Sequence, residues 1–156
     1  MKKLTVFILT VVLAVACIIP TAFASCTASA SASQSTVYVN SNVTVTFTFK
    51  GSAAVGCADT FFSFDNAKLK YISYSSSLGG SNITIAGGTI QISDFSATSK
   101  SKTYTVKLTF TATNVGSARV ALTSSDIVDI DDNSLGNPTA STSITIKEKS
   151  LSSDAN

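Results

Sequence analysis

The run Asn42-Val43-Thr44-Val45-Thr46-Phe47-Thr48-Phe49-Lys50 alternates apolar and polar side chains without a break. Val43, Val45, Phe47 and Phe49 fall on one side of an extended chain and Thr44, Thr46 and Thr48 on the other, because successive strand residues point to opposite faces. Period two with β-branched residues on the wet side describes a half-buried strand. The run Tyr104–Ala112 repeats the pattern, with Tyr104, Val106, Leu108 and Phe110 pointing one way and Thr105, Lys107, Thr109 and Thr111 the other.

Shorter runs of the same kind cover residues 35–39, 55–64, 68–73, 82–85, 89–93, 118–123, 126–130 and 142–147. Turn-forming residues separate them: Lys50-Gly51-Ser52, Asp65-Asn66, Gly79-Gly80, Gly87-Gly88, Asn114-Val115-Gly116 and Asn137-Pro138. No amphipathic helix longer than a turn or two is present. About nine or ten short strands without helices predict an all-β protein, a β-sandwich or jelly roll. Seven of the nine Phe residues lie beyond residue 24 and supply the bulk of its core.

The N-terminus reads as a secretory signal peptide over residues 1–24. Lys2 and Lys3 form its basic start, Leu4 to Ile19 its apolar run, and Ala22-Phe23-Ala24 its small-x-small cleavage site. The apolar run is short for a membrane span. Neither Cys17 nor Cys26 has the upstream Leu-like residue that lipid attachment wants, so an exported, extracellular protein is expected in preference to a lipoprotein. Cell-surface association is left open. Removing 24 of the 156 residues leaves 132, with nine basic and nine acidic side chains. That is one domain with no basic patch to attract nucleic acid or an anionic membrane.

Residues 25–34, Ser/Ala-rich, read as a flexible lead. The sandwich then spans 35–147, and 148–156 form a polar tail without a sorting signal or a second span. Cys26 and Cys57 remain after cleavage; in an oxidising compartment they are either one disulfide or two free thiols.

Enzymatic chemistry is poorly provided for. The chain has no His, and its one Glu lies in the tail. Ser–His and Cys–His pairings are therefore excluded, and general acid–base work at neutral pH loses its usual agent. Ser99-Lys100-Ser101-Lys102 matches a Ser-x-x-Lys pattern but lacks the partner motifs of acylating enzymes. A non-catalytic protein is expected.

The acidic stretch Asp126–Gly136 carries four of the nine acids. Counted from Asp129, oxygen ligands fall at positions one, three and five (Asp129, Asp131, Asn133), as a calcium loop requires. Position six is Ser134 rather than Gly, position twelve is Ala140 rather than an acid, and the flanks are strand-like. An EF-hand is rejected, leaving a weak, partly hydrated calcium candidate beside the simpler reading of a bend before the last strand. For sugar binding there is no Trp, and the candidates for stacking are Tyr71 and Tyr74, whose odd spacing sets them on opposite faces of a regular strand.

From Gly56 onward a family likeness emerges. Phe64-Asp65-Asn66-Ala67-Lys68-Leu69-Lys70-Tyr71, an aromatic-Asp pair followed by a turn, a Leu and an aromatic, resembles the cohesin domain. Residues 35–49 resemble its first two strands, with Asn40-Ser41 where Gly is common. Residues 108–122 resemble its L-x-F-x-x-x-x-x-G-x-A strand pair, and Asp129–Gly136 followed by Ser143–Ile146 its last hairpin. The resemblance covers about residues 35–147. It implies a nine-stranded jelly-roll β-sandwich, close to certain cellulose-binding modules, that binds dockerins: small calcium-loaded helical modules on polysaccharide-degrading enzymes, assembled into cellulosomes or held at the cell surface. Calcium is then expected on the partner, with no cofactor here.

The family's Asn-Cys-Asp motif aligns its Asp with Asp59 and its Asn with Cys57, a departure that leaves the dockerin type open. Strand parity sets Cys57, Asp59, Phe61 and Ser63 outward as the partner-binding row, and Thr60, Phe62 and Phe64 inward. Two further readings are a polysaccharide-binding module using Tyr71 or Tyr74, and a structural or adhesion subunit of the cell surface.

Overall fold

The computed structural model describes residues 24–150. The signal-peptide assignment and most of the polar tail fall outside them. Eleven strands follow one another: β1 (Cys26–Ala32), β2 (Thr36–Tyr38), β3 (Asn42–Gly51), β4 (Val55–Phe64), β5 (Leu69–Ser76), β6 (Gly80–Ala86), β7 (Thr89–Phe95), β8 (Thr103–Ala112), β9 (Gly116–Asp129), β10 (Ser134–Gly136) and β11 (Ala140–Lys147). A smaller sheet has the order β1-β3-β8-β5, and a larger one β2-β11-β9-β4-β7-β6, with β10 paired to β9. The protein is an all-β, two-sheet sandwich. The strands expected at 118–123 and 126–130 are one long strand, β9.

The alternation read in β3 and β8 closes the core from the smaller sheet. Val43, Val45, Phe47 and Phe49 are buried, and so are Tyr104, Val106, Leu108 and Phe110. The larger sheet meets them with Phe62, Ile90, Ile92, Val120, Leu122, Ile127, Ile144 and Ile146. Aromatic rings interlock across the gap: Phe47 lies 4.8 Å from Phe62 between centroids, and Phe64 lies 5.1 Å from Phe110. Tilted pairs at such spacing add to the area they bury. The polar face of β3 is also paired, Thr44 and Thr109 sharing a 3.1 Å hydroxyl contact.

Two turns show how the sequence bends. Gly87 and Gly88, with φ of 52° and 90°, join β6 to β7 between the paired residues Ala86 and Thr89. A two-residue hairpin turn of type I′ needs positive φ at both positions, which Gly adopts without strain. Asn40 takes φ 66° where the Ser41 amide donates to the Tyr38 carbonyl. Asn is among the few non-Gly residues that tolerate this region, so it stands in for the Gly expected there.

The Ser/Ala lead is a correction. Residues 26–32 are not a flexible tether but edge strand β1, antiparallel to β3 from Cys26↔Gly51 to Ala32↔Val45. Cys26, Ala28, Ala30 and Ala32 turn inward and pack on the core, while Thr27, Ser29 and Ser31 face outward. The low-complexity composition hid a period-two pattern whose inward residues are merely small, so the domain begins about nine residues earlier than the sequence suggested.

Candidate functional site

The middle of the larger sheet is β4, flanked by β7 and β9. Ala58, Thr60 and Phe62 are buried, and the alternate residues Cys57, Asp59, Phe61 and Ser63 form a row on the outward face. On β7 they stand opposite Phe95, Ser93, Gln91 and Thr89. On β9 they meet Val128, Asp126, Ser124 and Ala121, with an extra residue, Thr123, inserted in the register. That insertion is anchored by the Thr123 hydroxyl, which donates to the Phe61 carbonyl at 3.0 Å.

Asp59 and Asp126 are therefore direct cross-strand neighbours, and the Lys68–Asp65 contact is the only ion pair among the described residues. Two carboxylates facing each other on one sheet face repel unless a cation joins them. Phe61 is half-buried, lying between Gln91 and Ser124 rather than standing free. Burial pushes the Cys57 thiol above its usual range, and the negative charge of Asp59 adds to the shift.

Where the row begins, Gly56 lets the end of β9 pass close by: a Cβ there would fall 2.6 Å from the Asp129 carbonyl oxygen. The result is a shallow cleft of about 300 Å³, apolar at Phe95, Ala97 and Ile130 and polar at Ser96, Asp129 and Asp132, with Gly56 and Cys57 also lining it. Neither this cleft nor the Asp59–Asp126 pairing was legible in the sequence. Alternation marks Asp126 as outward on its own strand, but register between distant strands is set by turns and packing.

Three of the sequence readings are decided here, against the disulfide, the opposed tyrosines and the calcium candidate. Cys26 and Cys57 are both free thiols. Cys26 faces the core from the edge of the smaller sheet and Cys57 faces outward from the larger one, so no disulfide joins them. Tyr71 and Tyr74 are not on opposite faces. Ile72 is an extra residue in β5, so Tyr71 pairs with Phe110 and Tyr74 with Leu108, both inward-facing. Both tyrosines pack on the core, and it is Ile72, 46% exposed, that points to solvent. A bulge shifts parity by one, which periodicity alone does not reveal.

Nor do Asp129, Asp131 and Asn133 form a cation cage. The Asp129 Oδ1 accepts the amides of Asp131 and Asn133, each at 2.9 Å, and the Asn133 side-chain amide at 3.2 Å. These bonds hold its carboxyl below the usual carboxylate range, that of the Asn133 amide most. Asp129 thus organises the bend between β9 and β10 with its lone pairs already engaged. Among the described residues no group of three acids or cysteines is placed to hold a metal.

The core holds a polar cluster the sequence did not signal. Asp94 is fully buried on β7; the Tyr104 hydroxyl donates to its Oδ2 and the Ser81 hydroxyl to its Oδ1. Burial first, and then the bond to Asp94, push the Tyr104 phenol far above its usual range.

Two packed sheets, with an acidic and partly apolar outward face on the larger one, define a jelly-roll sandwich. The comparisons narrow this to the cohesin fold. No family model matches the sequence, and no curated protein does. Among solved structures, the cohesin module from a Clostridium perfringens family 33 glycoside hydrolase superposes with a TM-score of 0.66 at 16% identity, covering 79% of this chain and 98% of that one. A non-cellulosomal cohesin from the archaeon Archaeoglobus fulgidus gives 0.60 at 22% identity, over 80% and 92%. The sixth cohesin of Acetivibrio cellulolyticus scaffoldin B, solved with a Cel5 dockerin, gives 0.61 at 16%, over 74% and 97%. The sandwich is that of the cohesin modules. No helix among the described residues is long and apolar enough to cross a membrane.

Proposed function

We propose that this chain is an exported, non-catalytic docking module that holds a dockerin-bearing protein on the outward face of its larger sheet. The observation that carries the reading is the outward row Cys57, Asp59, Phe61 and Ser63 with Asp126 opposite Asp59, on a fold whose solved examples include complexes with dockerins. A polar and aromatic strip at the centre of a sheet suits a standard interface of roughly 800 Å² per partner. The enzymes recruited this way would be polysaccharide-degrading, and calcium would reside in the dockerin. Direct polysaccharide binding loses its basis once Tyr71 and Tyr74 face the core.

The test is capture of calcium-loaded dockerins by the purified protein, from a panel and from the producer's culture medium. Binding that disappears with EDTA and with Asp59→Lys supports the reading. Failure to capture any dockerin, or capture indifferent to Asp59→Lys, overturns it.

A further inference from the structure

Phe95 and Ile130, 61% and 50% exposed, are the most exposed large apolar side chains among the described residues, and both line the cleft at the start of β4. Phe95 does not hang free. It stands between Cys57 on β4 and Gly80 on edge strand β6, where a Cβ would fall 2.9 Å from the ring. Together Phe95 and Ile130 give the cleft one apolar rim that a partner's apolar side chain could cover.

The next outward position on β4 after Cys57 is Asp59, with Asp126 beside it. Residues two apart on a strand are separated by about 7 Å. A hollow rimmed by Phe95 and Ile130, with Ser96, Asp129 and Asp132 also in its lining, and the Asp59–Asp126 pair therefore stand about 7 Å apart. Arg119, the one basic residue of β9, lies seven positions back from Asp126 and donates to the Ser141 hydroxyl at 3.0 Å. The site lies on β4, β7 and β9, strands already paired on both sides, so an added strand at a sheet edge does not reach it. A helix laid across the face does. Its i and i+4 side chains share one side, about 6 Å apart.

Resting on the docking reading above, we infer that the cleft receives one apolar side chain of the partner and that Asp59 and Asp126 together receive a Lys or Arg one helical turn away on the same partner helix. The cation relieves the repulsion between the two carboxylates, so charge complementarity selects orientation as well as partner.

Two measurements test this. In the first, ¹⁵N-labelled protein is titrated with phenethylammonium, an apolar body bearing a cation, and with phenylacetate, its anionic counterpart. Saturable shifts at the amides of Gly56, Cys57, Phe95 and Ile130 with the ammonium alone, lost in Phe95→Ser and weakened in Asp126→Asn, are expected. Absence of those shifts, or equal shifts from phenylacetate, overturns the inference. In the second, Phe95→Ser and Ile130→Ser are each expected to weaken binding of a calcium-loaded dockerin by about tenfold or more, the level of an interface anchor. Lys107→Glu, on the opposite sheet, is expected to leave it unchanged. Full-affinity dockerin binding by both cleft variants refutes the cleft's role and leaves the docking reading standing. Ammonium shifts without any dockerin binding refute the docking reading and uphold the cleft's preference for an apolar cation.

Discussion

The buried Tyr104 hydroxyl donates to the buried Asp94 carboxylate, joining β8 of the smaller sheet to β7 of the larger. Tyr104→Phe leaves Asp94 fully buried with the Ser81 hydroxyl as its remaining donor, a loss expected to cost about 1–3 kcal/mol in urea unfolding.

The same pair sets a pH dependence at the alkaline end. Tyr104 is protonated in the fold well beyond the ordinary phenol value of 10.0, while the unfolded chain ionises there. The native state then binds the extra proton, so stability is complete below that pH and falls above it. The limiting slope is about 1.4 kcal/mol per pH unit. Urea midpoints across alkaline pH should show this decline in the native protein and a shallower one in Tyr104→Phe.

At the acid end the order reverses. The carboxyls of Asp129, held down chiefly by the Asn133 amide, and of Asp65, held down chiefly by Lys68 at 2.6 Å, ionise more readily in the fold than their ordinary value of 3.8. Their contribution is present above that value and is lost as pH falls below it. Asp129→Ala should lower the melting temperature at neutral pH and flatten the acid limb. Calcium and EDTA should leave the melting temperature of the native protein unchanged, since the Asp129 oxygens are engaged by amides.

Asp59 and Asp126 act against stability in the free protein. Replacing Asp126 with Asn removes a like-charge pair worth roughly 0.2–1 kcal/mol and should raise the unfolding midpoint. The same change should weaken dockerin capture. A variant both less stable and tighter-binding would contradict the role given to this pair.

Tyr71 and Tyr74 should behave as packing residues. Alanine at either is expected to cost about 1–3 kcal/mol, in keeping with an inward, partly buried ring. Ile72→Ser, on the exposed bulge, should fall within about 0.5 kcal/mol of the native protein. Retention on insoluble polysaccharide should follow neither change.

The strands were legible because Thr and Val or Phe alternate so regularly in β3 and β8 that burial of one face follows directly. The outward placement of Cys57, Asp59, Phe61 and Ser63 follows from the same parity, counted from Phe62. Parity failed where a residue was inserted. Ile72 in β5 reverses the side chains after it, and nothing in its neighbours announces a bulge. The pairing of Asp59 with Asp126 and the gathering of Gly56, Phe95 and Ile130 depend on register between distant segments, which local pattern does not carry. β1 was missed for a different reason: Ala is too small to advertise a buried face.

The parallel pairing of β2 with β11 has a consequence for the order of events in folding. Thr36 sits beside Thr145 and Tyr38 beside Lys147, so a strand near the start of the domain must meet the last one before the larger sheet is complete. Contacts so far apart in the chain are slow to form. A nascent chain stopped short of β11 leaves β2 without a neighbour and the first half of β9 with an open edge, the kind of edge on which other strands aggregate. The last eight-residue strand is therefore the latch on which the larger sheet waits.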